Sequence, residues 1–203
     1  MIEFGLLSHV GLRREHNEDT FYGDSELGLW LVADGMGGHE FGEVASAMAR
    51  DIIVREVRGG THLIDAIRRA DSEIIEHSKR RNDALPMGTT VASARINQNR
   101  FEVAWVGDSR AYLWNGELQQ LSHDHSYVQE LIEQGAITAE QARSHPHRNV
   151  VTQALGVTDL HARFTAQQCQ ERREQLALFG GIARQHRHLV VAAGGDGGHG
   201  VSR

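Results

Sequence analysis

Leu31-Val32-Ala33-Asp34-Gly35-Met36-Gly37-Gly38-His39 is the stretch on which the fold turns. It closes an apolar run, Leu27 to Ala33, that reads as a strand buried on both faces. A carboxylate follows at the strand end, and then glycines whose backbones can approach a metal or a phosphate closely. An acid beside buried apolar mass is costly unless it is paired. The stretch by itself leaves two readings level: a cation site at Asp34, or a plain glycine turn.

Working upstream, Phe4 to Val10 reads as another strand, followed by Gly11 and Arg14-Glu15-His16-Asn17-Glu18-Asp19. Adjacent carboxylates at a strand end can hold a hard cation, and an arginine nearby can grip phosphate with its fork of donors. Taken alone, such a run is more often a hydrophilic turn. Downstream, the glycine-dense loop Asp34 to Gly42 gives way at Glu43 to helical periodicity, with Val44, Ala47, Met48, Ile52 and Val54 to Val57 as the apolar stripe. Gly59-Gly60 breaks that helix. Thr61 is a candidate N-cap for a second, from about His62 to Arg80, with Leu63, Ile64, Ile67, Ala70, Ile74 and Ile75 inward.

Four short strands come next, Thr89 to Ile96, Arg100 to Val106, Ser109 to Trp114 and Leu118 to Leu121. Asn97-Gln98-Asn99 and Asn115-Gly116 serve as turns. Tyr127 to Gln134 reads as a helix ended by Gly135, and Thr138 with Gln141 forms a capping box for a short one. Strands, two helices, more strands and more helices indicate layered α+β rather than a parallel alternating fold. Two further segments carry polar chemistry. Val106-Gly107-Asp108-Ser109-Arg110 places an acid after glycine at a strand end, which a tight turn explains equally well. Leu121-Ser122-His123-Asp124-His125-Ser126 offers His and Asp together, although Asp124 or Ser126 as a helix cap is the simpler reading.

Composition narrows the class. A chain of 203 residues with 40% hydrophobic and 24% charged residues suits one soluble globular domain. A formal net charge of -6 offers no broad attraction to nucleic acid or anionic membrane. No apolar run is long enough to span a bilayer, and Met1-Ile2-Glu3-Phe4 has no secretory pattern. The single Cys169 excludes an internal disulfide framework and a thiolate zinc cage. The expectation is a cytoplasmic protein. Its thirteen histidines are scattered, and most of them read as solvated surface residues.

In combination the motifs are far more specific than any one of them. Gly11 with Arg14 and Asn17-Glu18-Asp19, Asp34 to His39 with Gly42-Glu43, Gly88-Thr89-Thr90, Gly107-Asp108-Ser109-Arg110-Ala111-Tyr112, Asp124-His125-Ser126 and Val151-Thr152-Gln153-Ala154-Leu155-Gly156 follow one another over residues 5 to about 160. In this order and spacing the chain resembles the PP2C-type (PPM) metal-dependent protein serine/threonine phosphatases. Within them it is similar to the compact, stand-alone bacterial branch that opposes eukaryotic-type Ser/Thr kinases, including members associated with type VI secretion.

The resemblance implies a four-layer α-β-β-α sandwich with two antiparallel sheets, and two to three Mn2+ or Mg2+ ions at one end. It implies that Asp34 bridges two ions, that Gly35 lends its carbonyl, and that Glu18 and Asp19 join the same cluster, partly through waters. Asp108 matches the ligand of a third, weaker ion, and Arg14 the phosphate-binding arginine. His39 stands where a histidine behind the metal ligands, or a proton donor, would be useful. Residues 131–149 match the mobile flap beside the cleft. The implied partners are phosphorylated proteins, substrates of a Ser/Thr kinase, met by a monomer; neither nucleic acid nor membrane is implied.

The pattern departs from the family late in the chain. Two further aspartates are expected there, one in a Ser/Thr-Asp-Gly motif and one in a terminal Asp-Asn motif. The strand-like run Gln175 to Phe179 leads into Gly180-Gly181-Ile182 with no acid, and only Gly195-Asp196-Gly197, after Leu189 to Ala193, supplies an Asp-Gly. Asp196 is thus the sole candidate for a late metal ligand. From Gln167 onward the composition shifts to Arg, Gln, His, Ala and Gly, as an out-of-frame reading of a GC-rich gene does. The expectation is a phosphatase domain over 1–165 and an atypical, frameshifted or truncated segment over 166–203, so that the C-terminal part of the fold is incomplete. Two rivals follow from the missing aspartates: a catalytically impaired phosphoprotein-binding module, and a non-functional truncated product.

Overall fold

The computed structural model describes residues 4–9, 17–37, 41–80, 87–97, 100–114, 117–157, 165–170 and 188–192, the last two segments by their backbone. β1 (Asp19–Asp24) and β2 (Leu29–Met36) lead into α1 (Phe41–Arg58) and α2 (Leu63–Arg80). β3 (Gly88–Thr89), β4 (Val91–Asn97), β5 (Arg100–Val106), β6 (Arg110–Trp114) and β7 (Leu118–Gln120) follow. α3 (Tyr127–Glu133), α4 (Ala139–Arg143), β8 (Thr165–Gln170) and β9 (His188–Ala192) complete the order. The strands form two antiparallel sheets. The larger runs β1-β2-β4-β5-β8, with β3 also on β2, and the smaller runs β7-β6-β9. This is the α+β architecture that the order of elements leads one to expect.

The larger sheet is covered on both sides, because successive side chains of a strand point to opposite faces. On one face Leu29, Leu31, Val91, Ala104 and Val106 pack with Ala45, Ala49, Ile52 and Ile53 of α1 and with Leu63, Ala66, Ile67, Ala70 and Ile74 of α2. On the other, Ala92, Ala94, Val103 and Trp105 meet Ala111 and Leu121 beneath the smaller sheet. Leu29, Leu31, Ile53 and Ile67 are wholly buried, each contributing about 1.5–3 kcal/mol relative to exposure. Helix pair, large sheet and small sheet are therefore successive layers.

Glu43 in the first turn of α1 and Arg55 and Arg58 in its last suit the helix dipole. Gly60, at φ 93°, turns the chain out of it. Arg55 also reaches Glu73 on α2 at 2.7 Å, pinning the two helices at their exposed seam.

Several local expectations are corrected. Residues 4–9 form no strand: an extended segment becomes one only where a sheet edge offers hydrogen-bond partners. The strand lies instead at Asp19–Asp24, which polar residues and Gly23 disguise. β2 alternates between buried and half-buried positions rather than being buried throughout, and it continues through Gly35 and Met36 because β3 pairs with both. The buried stripe of α1 runs through Ala45, Ser46, Ala49, Ile52, Ile53 and Val57, leaving Val44, Ala47 and Met48 half-buried. The helix enters over Gly42, and that contact sets its rotation. Thr61 does not cap α2; the first carbonyl to accept is that of His62, and the Thr61 hydroxyl donates to Glu56. Residues 98–99, 115–116 and the run Gln175 to Phe179, expected to form turns and a strand, lie outside the described residues.

Candidate active site

Register brings the front-half acids together. Asp19 stands directly opposite Asp34 where β1 pairs with β2. One step on, the Gly35 N–H donates to the Glu18 carbonyl at 3.2 Å. On the other side of β2, the Thr90 N–H donates to the Asp34 carbonyl at 2.9 Å. Thr90 lies beside Gly107, because Val91 pairs with Val106. Asp19, Asp34, Thr90 and Gly107 thus form a row across one end of the large sheet, and Asp108 follows immediately.

α1 closes the same end from the helix side. A Cβ added to Gly35 would lie 2.0 Å from the Gly42 carbonyl oxygen, and one added to Gly42 would lie 2.9 Å from the Glu18 carboxyl carbon. The strand and the helix touch backbone to backbone here, and only glycine permits it. Ser46 Oγ donates to the Glu18 carbonyl at 2.7 Å, so the first turns of α1 hold the residue carrying the third carboxylate. The Asp19 N–H, in turn, donates to Asn17 Oδ1 at 3.1 Å.

Behind Asp108 is a charged cluster. Arg110 grips Asp124 with a fork, Nε to Oδ1 at 2.9 Å and Nη2 to Oδ2 at 2.5 Å. Burial holds the Asp108 carboxyl above its ordinary range; the Asp124 charge pushes the same way, and Arg110 partly opposes both. The His125 amide donates to the Gly107 carbonyl, while His125 Nδ1 accepts from the Gly107 N–H at 3.1 Å. Burial lowers the pKa of that imidazole. Ser126, rather than Asp124, caps α3, accepting from the Gln129 N–H. The spacing from Arg110 to Asp124 carries no local signal that would join them in the sequence.

Of the residues singled out from sequence, Glu18, Asp19, Asp34 and Gly35 share one strand end, and Asp108 sits at that same end of the sheet. Arg14, His39 and Asp196 lie outside the described residues. All the donors are hard oxygens, the chemistry that Mg2+ and Mn2+ prefer. Among the described residues no three His, Cys, Asp or Glu side chains gather round one point. Octahedral ions that keep several waters need only one or two protein carboxylates each, so the donor set fits them.

A family model of protein phosphatase 2C matches residues 6–133. The chain belongs to the protein phosphatase 2C family. Serine/threonine phosphatase stp of Listeria monocytogenes is 40% identical over 161 residues, which are 72% of this chain and 64% of that relative's length. The chain therefore spans just under two thirds of that curated relative. The catalytic domain of PstP, crystallised with two manganese ions, superposes with a TM-score of 0.68 at 32% identity, over 81% of this chain and 71% of that one. PppA of Pseudomonas aeruginosa, described as a key regulatory component of the type VI secretion system, gives 0.66 at 33% identity, over 81% and 70%. No helix among the described residues of this family member is long and apolar enough to cross a membrane.

Proposed function

We propose that this chain is a protein phosphatase domain, a hydrolase that cleaves phosphoserine and phosphothreonine esters with Mn2+ or Mg2+. The observation that carries the reading is the Asp19–Asp34 register pair, with Glu18 and Gly35 beside it. Glu18, Asp19, Asp34 and the Gly35 carbonyl would hold the principal ions, and Asp108 a further one. Bound there, such ions supply Lewis acidity, lowering the pKa of a water and neutralising phosphoryl oxygens. The protein's share is to fix the carboxylates on two paired strands and to offer Arg14 as the fork that orients the phosphate. His39 is a candidate proton donor and Asp196 a candidate late ligand. The fold unit proposed is residues 1–165, with 166–203 as an atypical C-terminal segment.

The substrates would be phosphoproteins made by a Ser/Thr kinase, met by a cytoplasmic monomer with no nucleic acid or membrane partner. The rival is a phosphoprotein-binding module without turnover. Hydrolysis of p-nitrophenyl phosphate separates the two. The phosphatase reading expects Mn2+-dependent turnover that EDTA removes and that Asp34→Asn lowers at least a hundredfold, with weaker Mn2+ binding by calorimetry. Mn2+ binding unchanged in Asp34→Asn would overturn the assignment.

A further inference from the structure

Asp34 lies near the end of β2, and Asp108 in the turn between β5 and β6, at the same end of the sheet. Thr90 touches both segments. Its Oγ1 accepts from the Asp34 N–H at 3.2 Å and lies 2.6 Å from Ser109 Oγ, next in the chain to Asp108. Its own N–H donates to the Asp34 carbonyl at 2.9 Å. On the far side of Asp108, Gly107 adopts φ 101°, and a Cβ there would come within 2.5 Å of Thr90 Cγ2. The Thr90 methyl thus fills the space over Gly107, while the hydroxyl ties Asp34 to Ser109. Thr90 is 1% exposed and Ser109 0%. A hydrogen bond so far from bulk water is worth more than an exposed one.

We infer that Thr90 is a positioning residue that clamps the end of β2 at Asp34 to the turn carrying Asp108, setting the spacing of their carboxylates for divalent cations. The inference rests on the phosphatase reading above, and no part of it requires Thr90 to touch an ion or a substrate. A buried hydroxyl serving the fold alone would behave differently, and β4, which begins right after Thr90, supplies the comparison. Ser93 is also wholly buried, and its Oγ donates to the Ala104 carbonyl at 2.8 Å on the helix side, away from the acids.

The test is calorimetric titration of the 203-residue protein with Mn2+, without substrate, alongside its thermal midpoint. Thr90→Val keeps the shape and removes the hydroxyl; Ser109→Ala removes the other half of the pair. Each is expected to weaken Mn2+ binding at least fivefold. Thr90→Ser, which restores the hydroxyl, should return most of the affinity, and Ser93→Ala should lower the midpoint while leaving Mn2+ affinity within twofold. Ser109→Ala and Thr90→Ser carry the test if Thr90→Val does not fold. Unchanged affinity in Thr90→Val and Ser109→Ala, or an equal loss in Ser93→Ala, would overturn the clamp alone. A parent protein that binds no Mn2+ would overturn the phosphatase reading and the clamp with it.

Discussion

Asp71 illustrates how one side chain can serve the fold at a cost. On α2, it accepts from the Gly156 N–H at 2.8 Å, fastening residues 151–157 to the helix. Gly156 comes close enough that a Cβ would lie 2.4 Å from Ile74 Cγ2. Burial raises the Asp71 pKa, and the Gly156 hydrogen bond only partly offsets it. A carboxyl whose folded pKa is raised favours the folded state while protonated in both states, below about pH 4. That contribution is lost as pH rises through the folded value. Asp71→Asn keeps an oxygen acceptor and removes the charge. Its thermal midpoint is expected to exceed the parent's at pH 7, the gap closing toward pH 4. A gap independent of pH would show that the buried charge is not the cause.

Among the elements, those with strong local signals sit where the sequence places them. β5 spans Arg100–Val106, and the Thr138–Gln141 capping box forms with both hydrogen bonds. α4 has only five residues, too few to persist without its cap. Thr138→Ala is expected to cost about 1 kcal/mol locally. Amide exchange over residues 139–144 should accelerate severalfold while α1 and α2 are unchanged; uniform acceleration would mean that α4 supports the whole sandwich. β1 is the strand with no local signal. Asp19-Thr20-Phe21-Tyr22-Gly23-Asp24 lacks apolar alternation, and it is a strand because β2 hydrogen-bonds to it along its length. The apolar segment at residues 4–9 has the opposite fate: favourable composition, but no strand.

At the scale of the whole molecule, the compositionally odd late segment contributes to both sheets. β8 pairs with β5 from Arg100↔Gln170 to Trp105↔Thr165, and β9 pairs with β6 from Arg110↔Ala192 to Trp114↔His188. Removing residues 165–203 would leave β5 and β6 each with an open edge, a template for pairing between chains. The truncated protein is expected to self-associate in size-exclusion chromatography with light scattering. A monodisperse truncation with the parent's far-UV circular dichroism would show that these strands are dispensable.

Local sequence determined the helices and most strands, because the periods of 3.6 and 2 and the glycine breaks are written in neighbouring residues. The resemblance to the protein phosphatase 2C family, carried by the motifs, implied Glu18, Asp19, Asp34, Gly35 and Asp108 as one set. Tertiary structure decided what depends on partners distant in the chain. It set Asp19 opposite Asp34, which only strand register can do. It let the backbone of Gly35 rest on Gly42 and so fixed how α1 turns toward the sheet. It joined Arg110 to Asp124, and Thr90 to both Asp34 and Ser109. Each of these is a contact whose energy appears only once chain entropy has been spent bringing remote segments together, and no local pattern encodes it.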